Sequence, residues 1–337
     1  MGARAVIFGC RGTRLTAAER DFFREADPWG FILFARNIES PAQLRALTSE
    51  LRETTGRDAP VLIDQEGGRV ARMRGPEWRE WVPALEECER LPDRALRARA
   101  MYLRYRLIAA ELRAAGIDVN CAPVLDVVSP GTHPILRNRC YGADPAEVAA
   151  IGHAVAEGLL AGGVLPIMKH MPGQGRADLD SHAALPVVEA CHTALAATDF
   201  APFHALADLP MAMTAHVVYP ALDPDAPATL SARVIRVLRE EIGFGGLLMT
   251  DDLSMHALSG PFETRVTAAI AAGCDMILHC NGDPAEMAAV AAAAPRLEAA
   301  ARARAEAALA LRAAASDADV AGIAAEYAEL GQGRVRA

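Results

Sequence analysis

The chain has 337 residues, 52% of them hydrophobic and 23% charged, which is enough to bury a full core as one large α/β domain or two small ones. Its formal charge of −9 excludes a general electrostatic attraction to nucleic acid or to an anionic membrane surface, leaving only a local basic pocket for anionic groups. The apolar run near the start, Val6-Ile7-Phe8, is too short for a signal peptide or a membrane span and no run of spanning length appears later, so a cytoplasmic protein without nucleic-acid or membrane partners is expected.

In chain order, short β-rich runs fall at residues 5–10, 30–35, 60–64, 119–127, 165–170, 211–218, 247–250 and 276–280. Several carry Val, Ile and Leu at consecutive positions, the pattern of a strand covered on both faces. Between them lie segments with helical periodicity, among them 44–52, 95–115, 146–161 and 231–242. Strand then helix, repeated eight times, predicts a closed (β/α)8 TIM barrel. A doubly wound open sheet is the alternative, but Gly9-Cys10-Arg11-Gly12 after the first run does not make GxGxxG. No Pro, Gly and Ser-rich linker divides the chain, so a single domain is expected, with its core at about residues 4–282 and C-terminal helices in 283–337. The segment 284–315 is dominated by Ala with Glu and Arg, a helical composition expected to pack outside the barrel.

Seven cysteines (Cys10, Cys88, Cys121, Cys140, Cys191, Cys274 and Cys280) form an odd set without CxxC spacing, and read as small core hydrophobes rather than metal or redox groups. His170, His182 and His216 have no HExxH or comparable spacing, and Lys169 beside them would repel a cation, so no metal is expected.

Polar residues cluster where the β-rich runs end, which is where a barrel enzyme builds its site. Asp64 follows Val-Leu-Ile, Asp126 follows Pro-Val-Leu, Lys169 and His170 follow Pro-Ile-Met, His216 follows Met-Thr-Ala, and Asp251 follows Leu-Met-Thr. A single carboxylate at such a position often caps the next helix, but five strand ends together point into one pocket. After Asp64, the pair Gly67-Gly68 bends the chain and brings Arg69 and Arg72 back towards that pocket, and the loop 137–142 adds Arg137 and Arg139. Adjacent Asp251 and Asp252 in extended chain point to opposite faces, so one faces the barrel mouth. Nearby Lys169 and arginines would keep that carboxylate ionised, as a nucleophile requires. Lys169 reads as a hydroxyl donor more simply than as a Schiff-base lysine. Downstream of Pro172-Gly173-Gln174-Gly175, the triplet Asp180-Ser181-His182 reads either as a helix cap or as an acid/base pair.

Taken in order, Gly-Phe-Ile-Leu-Phe-Ala-Arg-Asn from Gly30, Ile-Asp-Gln-Glu-Gly-Gly-Arg-Val from Ile63, Cys-Ala-Pro-Val-Leu-Asp-Val from Cys121, Lys-His-Met-Pro-Gly-Gln-Gly from Lys169, Asp-Ser-His at 180–182, Ala-His-Val-Val-Tyr-Pro from Ala215 and Thr-Asp-Asp-Leu-Ser-Met from Thr250 resemble glycoside hydrolase family 3. The likeness is narrower still to its single-domain bacterial β-N-acetylhexosaminidases of the peptidoglycan-recycling type, and runs from about residue 30 to 281. The resemblance implies a retaining hydrolase that removes terminal non-reducing β-linked N-acetylglucosamine through a covalent intermediate. It puts the nucleophile on Asp251, the acid/base pair on His182 with Asp180, and sugar contacts on Asp64, Arg72, Arg139, Lys169 and His170. It implies no cofactor, and a substrate such as muropeptides carrying N-acetylglucosamine on anhydro-N-acetylmuramic acid; a monomer is expected. A β-N-acetylglucosaminide phosphorylase and a non-catalytic amino-sugar-binding protein are the rival readings. The chain departs from the family's usual Pro-Gly-His-Gly at Gln174, and from its usual phenylalanine at Met171.

Overall fold

The computed structural model describes residues 2–179, 184–312 and 319–331. Its strands are β1 (Arg4–Gly9), β2 (Pro28–Leu33), β3 (Val61–Ile63), a two-stranded antiparallel ribbon of β4 (Gln65–Gly67) and β5 (Val70–Ala71), β6 (Val119–Asn120), β7 (Leu165–Pro166), β8 (Met168–Met171), β9 (Met211–Thr214), β10 (Leu247–Asp252) and β11 (Met276–His279). Apart from the ribbon they form one parallel sheet in the order β7-β6-β3-β2-β1-β11-β10-β9-β8. β7 and β8 are consecutive pieces of one extended segment interrupted at Ile167, so the two ends of the sheet meet and the barrel is closed by eight staves. The (β/α)8 architecture expected from the alternation of runs is therefore present. The expected run 119–127 is regular only over β6; beyond it the pairing continues through Lys169 N, which donates to Pro123 O at 3.0 Å, and Leu125 N, which donates to Lys169 O at 2.8 Å.

Alternation along each strand sorts side chains between two cores. On β1, Ala5 and Ile7 point into the barrel and Val6 and Phe8 point out to the helices. The interior is filled by residues such as Val119, Leu165, Met211, Met249 and Met276. Outside, the helix Pro41–Thr55 shows how a sequence fixes an element: Ser40 and Gln43 form a capping box, Pro41 occupies the first turn, and Gly56 at φ 65° ends it. Its Leu44, Leu47 and Leu51 lie one helical face apart and pack against Phe31, Leu33, Val61 and Ile63 of the barrel.

The Ala-rich segment corrects one expectation. It is two helices, Pro284–Ala293 and Ala299–Ala310, broken around Pro295. The first packs outside as expected, through Met287, Val290 and Ala291. The second instead closes the amino-terminal end of the barrel: Leu297, Ala305 and Ala308 belong to the interior core, and Arg304 reaches Asp275 just before β11. Small Ala side chains let its backbone lie close under the strands. Among the described residues no helix is long and apolar enough to cross a membrane.

Candidate active site

At the carboxyl ends of the strands a cavity of about 220 Å³ opens, and Asp64, Arg72, Arg139, Lys169, His170 and Asp251 all line it. The first two flank the ribbon β4–β5, Asp64 just before it and Arg72 just after it. Gln65 staples it shut, its Nε2 donating to Met73 O at 2.8 Å and its Oε1 accepting from the backbone N of Arg72 and Met73. With Gln65 turned to that side, the extended chain turns Asp64 and Glu66 to the other. Gly67 and Gly68 have φ of 98° and 57°, and the bend expected from this pair brings both Arg69 and Arg72 to the cavity wall.

Glu66 was not singled out from the sequence, yet it is the centre of the charge cluster. Arg139 grips it through Nε and Nη2 at 2.9 and 2.8 Å, and Lys169 Nζ lies 2.6 Å from its Oε1. Lys169 also donates to Asp64 Oδ1 at 2.7 Å, whose Oδ2 accepts from Arg72 at 2.9 Å. Burial would raise both carboxyls, but the cations overcome it: Arg139 and Lys169 hold Glu66 down at about 2, and Lys169 and Arg72 hold Asp64 well below the usual carboxylate range. Burial would likewise lower Lys169, and Asp64 and Glu66 raise it above its ordinary value instead. The signal for Glu66 was its place two residues after Asp64 on the same side of extended chain.

Lys169 and His170 lie on β8, joined by a cis peptide bond. Behind His170 stands Asp126, with Oδ2 at 2.8 Å from His170 Nδ1, so this strand-end carboxylate supports the imidazole from below. His216, expected in the same pocket, is buried beside β10 instead, its Nε2 at 3.0 Å from Asp252 O and its Nδ1 at 2.7 Å from Thr229 Oγ1. Burial lowers its pKa against the opposing pull of Asp251. Among the described residues, no three His, Cys, Asp or Glu side chains gather as a metal site.

Asp251 and Asp252 both border the cavity at the end of β10, but with different surroundings. The Asp252 carboxylate accepts from Ser254 N at 2.9 Å, Ser254 Oγ at 2.6 Å and Cys280 N at 3.1 Å, which commits it to holding the turn. Asp251 Oδ1 accepts from the backbone N of Asp252 at 2.8 Å. Asp180 and His182 lie outside the described residues. The chain on either side is anchored, by Arg176 Nε on Asp199 Oδ2 at 2.8 Å before it and by Val188 N on Val218 O at 2.9 Å after it.

The family profile described as "Glycosyl hydrolase family 3 N terminal domain" matches residues 12–311. A protein named "Beta-hexosaminidase" from Bordetella avium is 39% identical over 284 residues, 82% of this chain and 80% of its own. Another of that name from Alkalilimnicola ehrlichii is 40% identical over 283 residues, with the same coverage of 82% and 80%. Among solved structures, NagZ from Neisseria gonorrhoeae in complex with N-trifluoroacetyl-D-glucosamine superposes with a TM-score of 0.86 at 30% identity, covering 98% of each chain. A profile spanning most of the barrel, relatives at this identity and a shared fold agree with the motifs that line the cavity, and the chain belongs to glycosyl hydrolase family 3, as a glycoside hydrolase.

Proposed function

We propose that the protein is a retaining β-N-acetylhexosaminidase that removes terminal non-reducing β-linked N-acetylglucosamine, with Asp251 as nucleophile and His182, paired with Asp180, as acid/base. The observation that carries the reading is the division of labour among the strand-end carboxylates. Asp64 and Glu66 are engaged in ion pairs and Asp252 holds the turn, while Asp251 lines the cavity at the end of β10 beside that charge cluster, where a nucleophile would sit. Three cations (Arg72, Arg139, Lys169) against two carboxylates (Asp64, Glu66) leave the cluster with one net positive charge, which favours an anionic nucleophile beside it.

In this mechanism an Asp251 oxygen bonds to the anomeric carbon as the glycosidic C–O bond breaks, and His182 gives its proton to the departing oxygen. The imidazole then takes a proton from water, whose oxygen displaces Asp251 and restores the starting enzyme. Asp180 keeps the imidazole in the correct tautomer. The names of the relatives and the N-acylated glucosamine in the gonococcal structure support the amino sugar as the group removed. Muropeptides in cell-wall recycling, met in the cytoplasm by a monomeric enzyme, are the substrate we assign.

The test is release of a chromophore from an aryl β-N-acetylglucosaminide. Asp251→Asn abolishes it and His182→Ala impairs it strongly; wild-type-like turnover by the Asp251 variant overturns the assignment. In phosphate buffer the product is free N-acetylglucosamine, and accumulation of the sugar 1-phosphate would replace hydrolysis by phosphorolysis.

A further inference from the structure

His170 sits among three contacts that one arrangement of protons satisfies. Asp126 accepts the backbone N–H of Gln174 at 2.8 Å through Oδ1, while its Oδ2 lies 2.8 Å from His170 Nδ1. A carboxylate only accepts, so Nδ1 carries the hydrogen. Arg139 Nη2, which only donates, lies 3.4 Å from His170 Nε2, so Nε2 offers its lone pair. The end of the Gln174 amide placed as Nε2 is 2.9 Å from Nδ1. Two donors cannot face each other, and amide oxygen and nitrogen are assigned from their bonding, so the oxygen belongs at that position. The NH2 group then occupies the other end, which has no hydrogen-bond partner among the described residues, on a side chain that is buried yet lines the cavity.

We propose that Gln174 is a positioning and ligand-contacting residue. Its amide oxygen shares the Nδ1–H of His170 with Asp126, which fixes the ring with its Nε2 lone pair beside Arg139, and its NH2 donates a hydrogen bond to an oxygen of the bound sugar. The charged and titratable groups around the ring are Asp126, Arg139, Glu66 behind Arg139, and His216. The inference rests on the reading of the cavity as an amino-sugar site.

The experiment uses the whole protein and two variants. Gln174→Met keeps the volume and loses both bonds; Gln174→His restores them, since a neutral imidazole accepts at one nitrogen and donates at the other. Calorimetric titration of wild-type protein with N-acetylglucosamine first shows whether the cavity takes that sugar at all. Gln174→Met is expected to weaken this binding and raise KM for the aryl glycoside about tenfold, the effect of one lost hydrogen bond, with kcat within about threefold. Gln174→His is expected to recover both to within about threefold. In 15N spectra of histidine-labelled wild type, His170 is expected with Nδ1 protonated and Nε2 bare. Unchanged binding and KM in Gln174→Met, or a lower thermal midpoint with no loss of sugar affinity, overturns the proposal, as does an Nε2-protonated His170. If the wild type takes no N-acetylglucosamine, the amino-sugar reading fails, while the 15N spectrum still decides the role of Gln174.

Discussion

Asp251 and Asp252 are the same side chain at consecutive positions, and what separates them is the set of donors around each. Asp252→Asn exchanges a carboxylate that gathers three donors for an amide that accepts at one atom only, so it is expected to cost about 2–3 kcal/mol of stability in urea melts and to lower turnover about tenfold by loosening the turn that holds Asp251. If Asp252→Asn instead matches the complete loss expected for Asp251→Asn, the two roles have been wrongly divided. Glu66 makes a second prediction. Removing its charge leaves Arg139 and Lys169 facing each other in a buried site, so Glu66→Gln is expected to cost about 3–5 kcal/mol, read from the same melts. The folded protein holds Glu66 at about 2 against an ordinary 4.5, so the unfolded chain takes the proton more readily. Its stabilisation is complete above pH 4.5 and is lost as pH falls towards 2. His216 acts in the same direction at higher pH: burial keeps it neutral in the fold, so stability begins to drop as pH falls below 6.5. Urea midpoints measured from pH 7 down to pH 3 should decline in these two stages, with the lower stage flattened in Glu66→Gln. Asp64, Lys169 and His170 were legible in the sequence because each directly ends a β-rich run. Glu66 was passed over despite its spacing from Asp64, since the glycines after it make the whole stretch read as a turn.

At the scale of elements, the β4–β5 ribbon shows how a short loop becomes rigid enough to present arginines. Its outer side is held by Gly68 N on Trp81 O at 2.8 Å and by Arg104 Nη2 on Glu66 O at 2.7 Å, and Arg104 is itself buried against Glu87. A Cβ on Gly67 would overlap the Arg104 guanidinium, at a φ of 98° that disfavours any side chain. Gly67→Ala is therefore expected to destabilise the protein by more than about 1 kcal/mol and to raise KM, by moving Glu66 and Arg72 together. An unchanged KM would show that the ribbon is not what aligns them. The bend was readable from the two glycines, but the pairing of β4 with β5 was not, because Gln65-Glu66-Gly67 has no strand-like composition. The helix Ala299–Ala310 teaches the converse. Its Ala-rich composition declared a helix, yet nothing in a run of Ala, Glu and Arg says whether its small face lies on the barrel's side or under its end.

Across the whole molecule, eight runs of apolar residues separated by helical segments were enough to name the barrel, because closure follows from repetition rather than from any one contact. The proposed acid/base pair belongs to a different kind of information: Asp180 and His182 stood out through motif order, with no periodicity to place them. The cysteines give a test of global packing. Cys191 is exposed while the other six are buried, and burial pushes the thiols of Cys10, Cys88 and Cys274 up to about 12. A thiol reagent at pH 8 is expected to modify one cysteine per native chain and seven in urea; rapid labelling of several in native protein would contradict the packing described.

The same closure has a temporal side. β1 pairs with β2 on one edge and with β11 on the other, and its flanks are tied by Ala5 N to Pro295 O and by Leu297 N to Ala3 O, both within 3.0 Å. The first of the described strands to be synthesised thus waits for a partner some 270 residues later, since Val6 pairs with Ile277. Until that stretch emerges, β1 carries an unfilled edge, and the nascent chain must keep it from meeting strands of its neighbours on the same message.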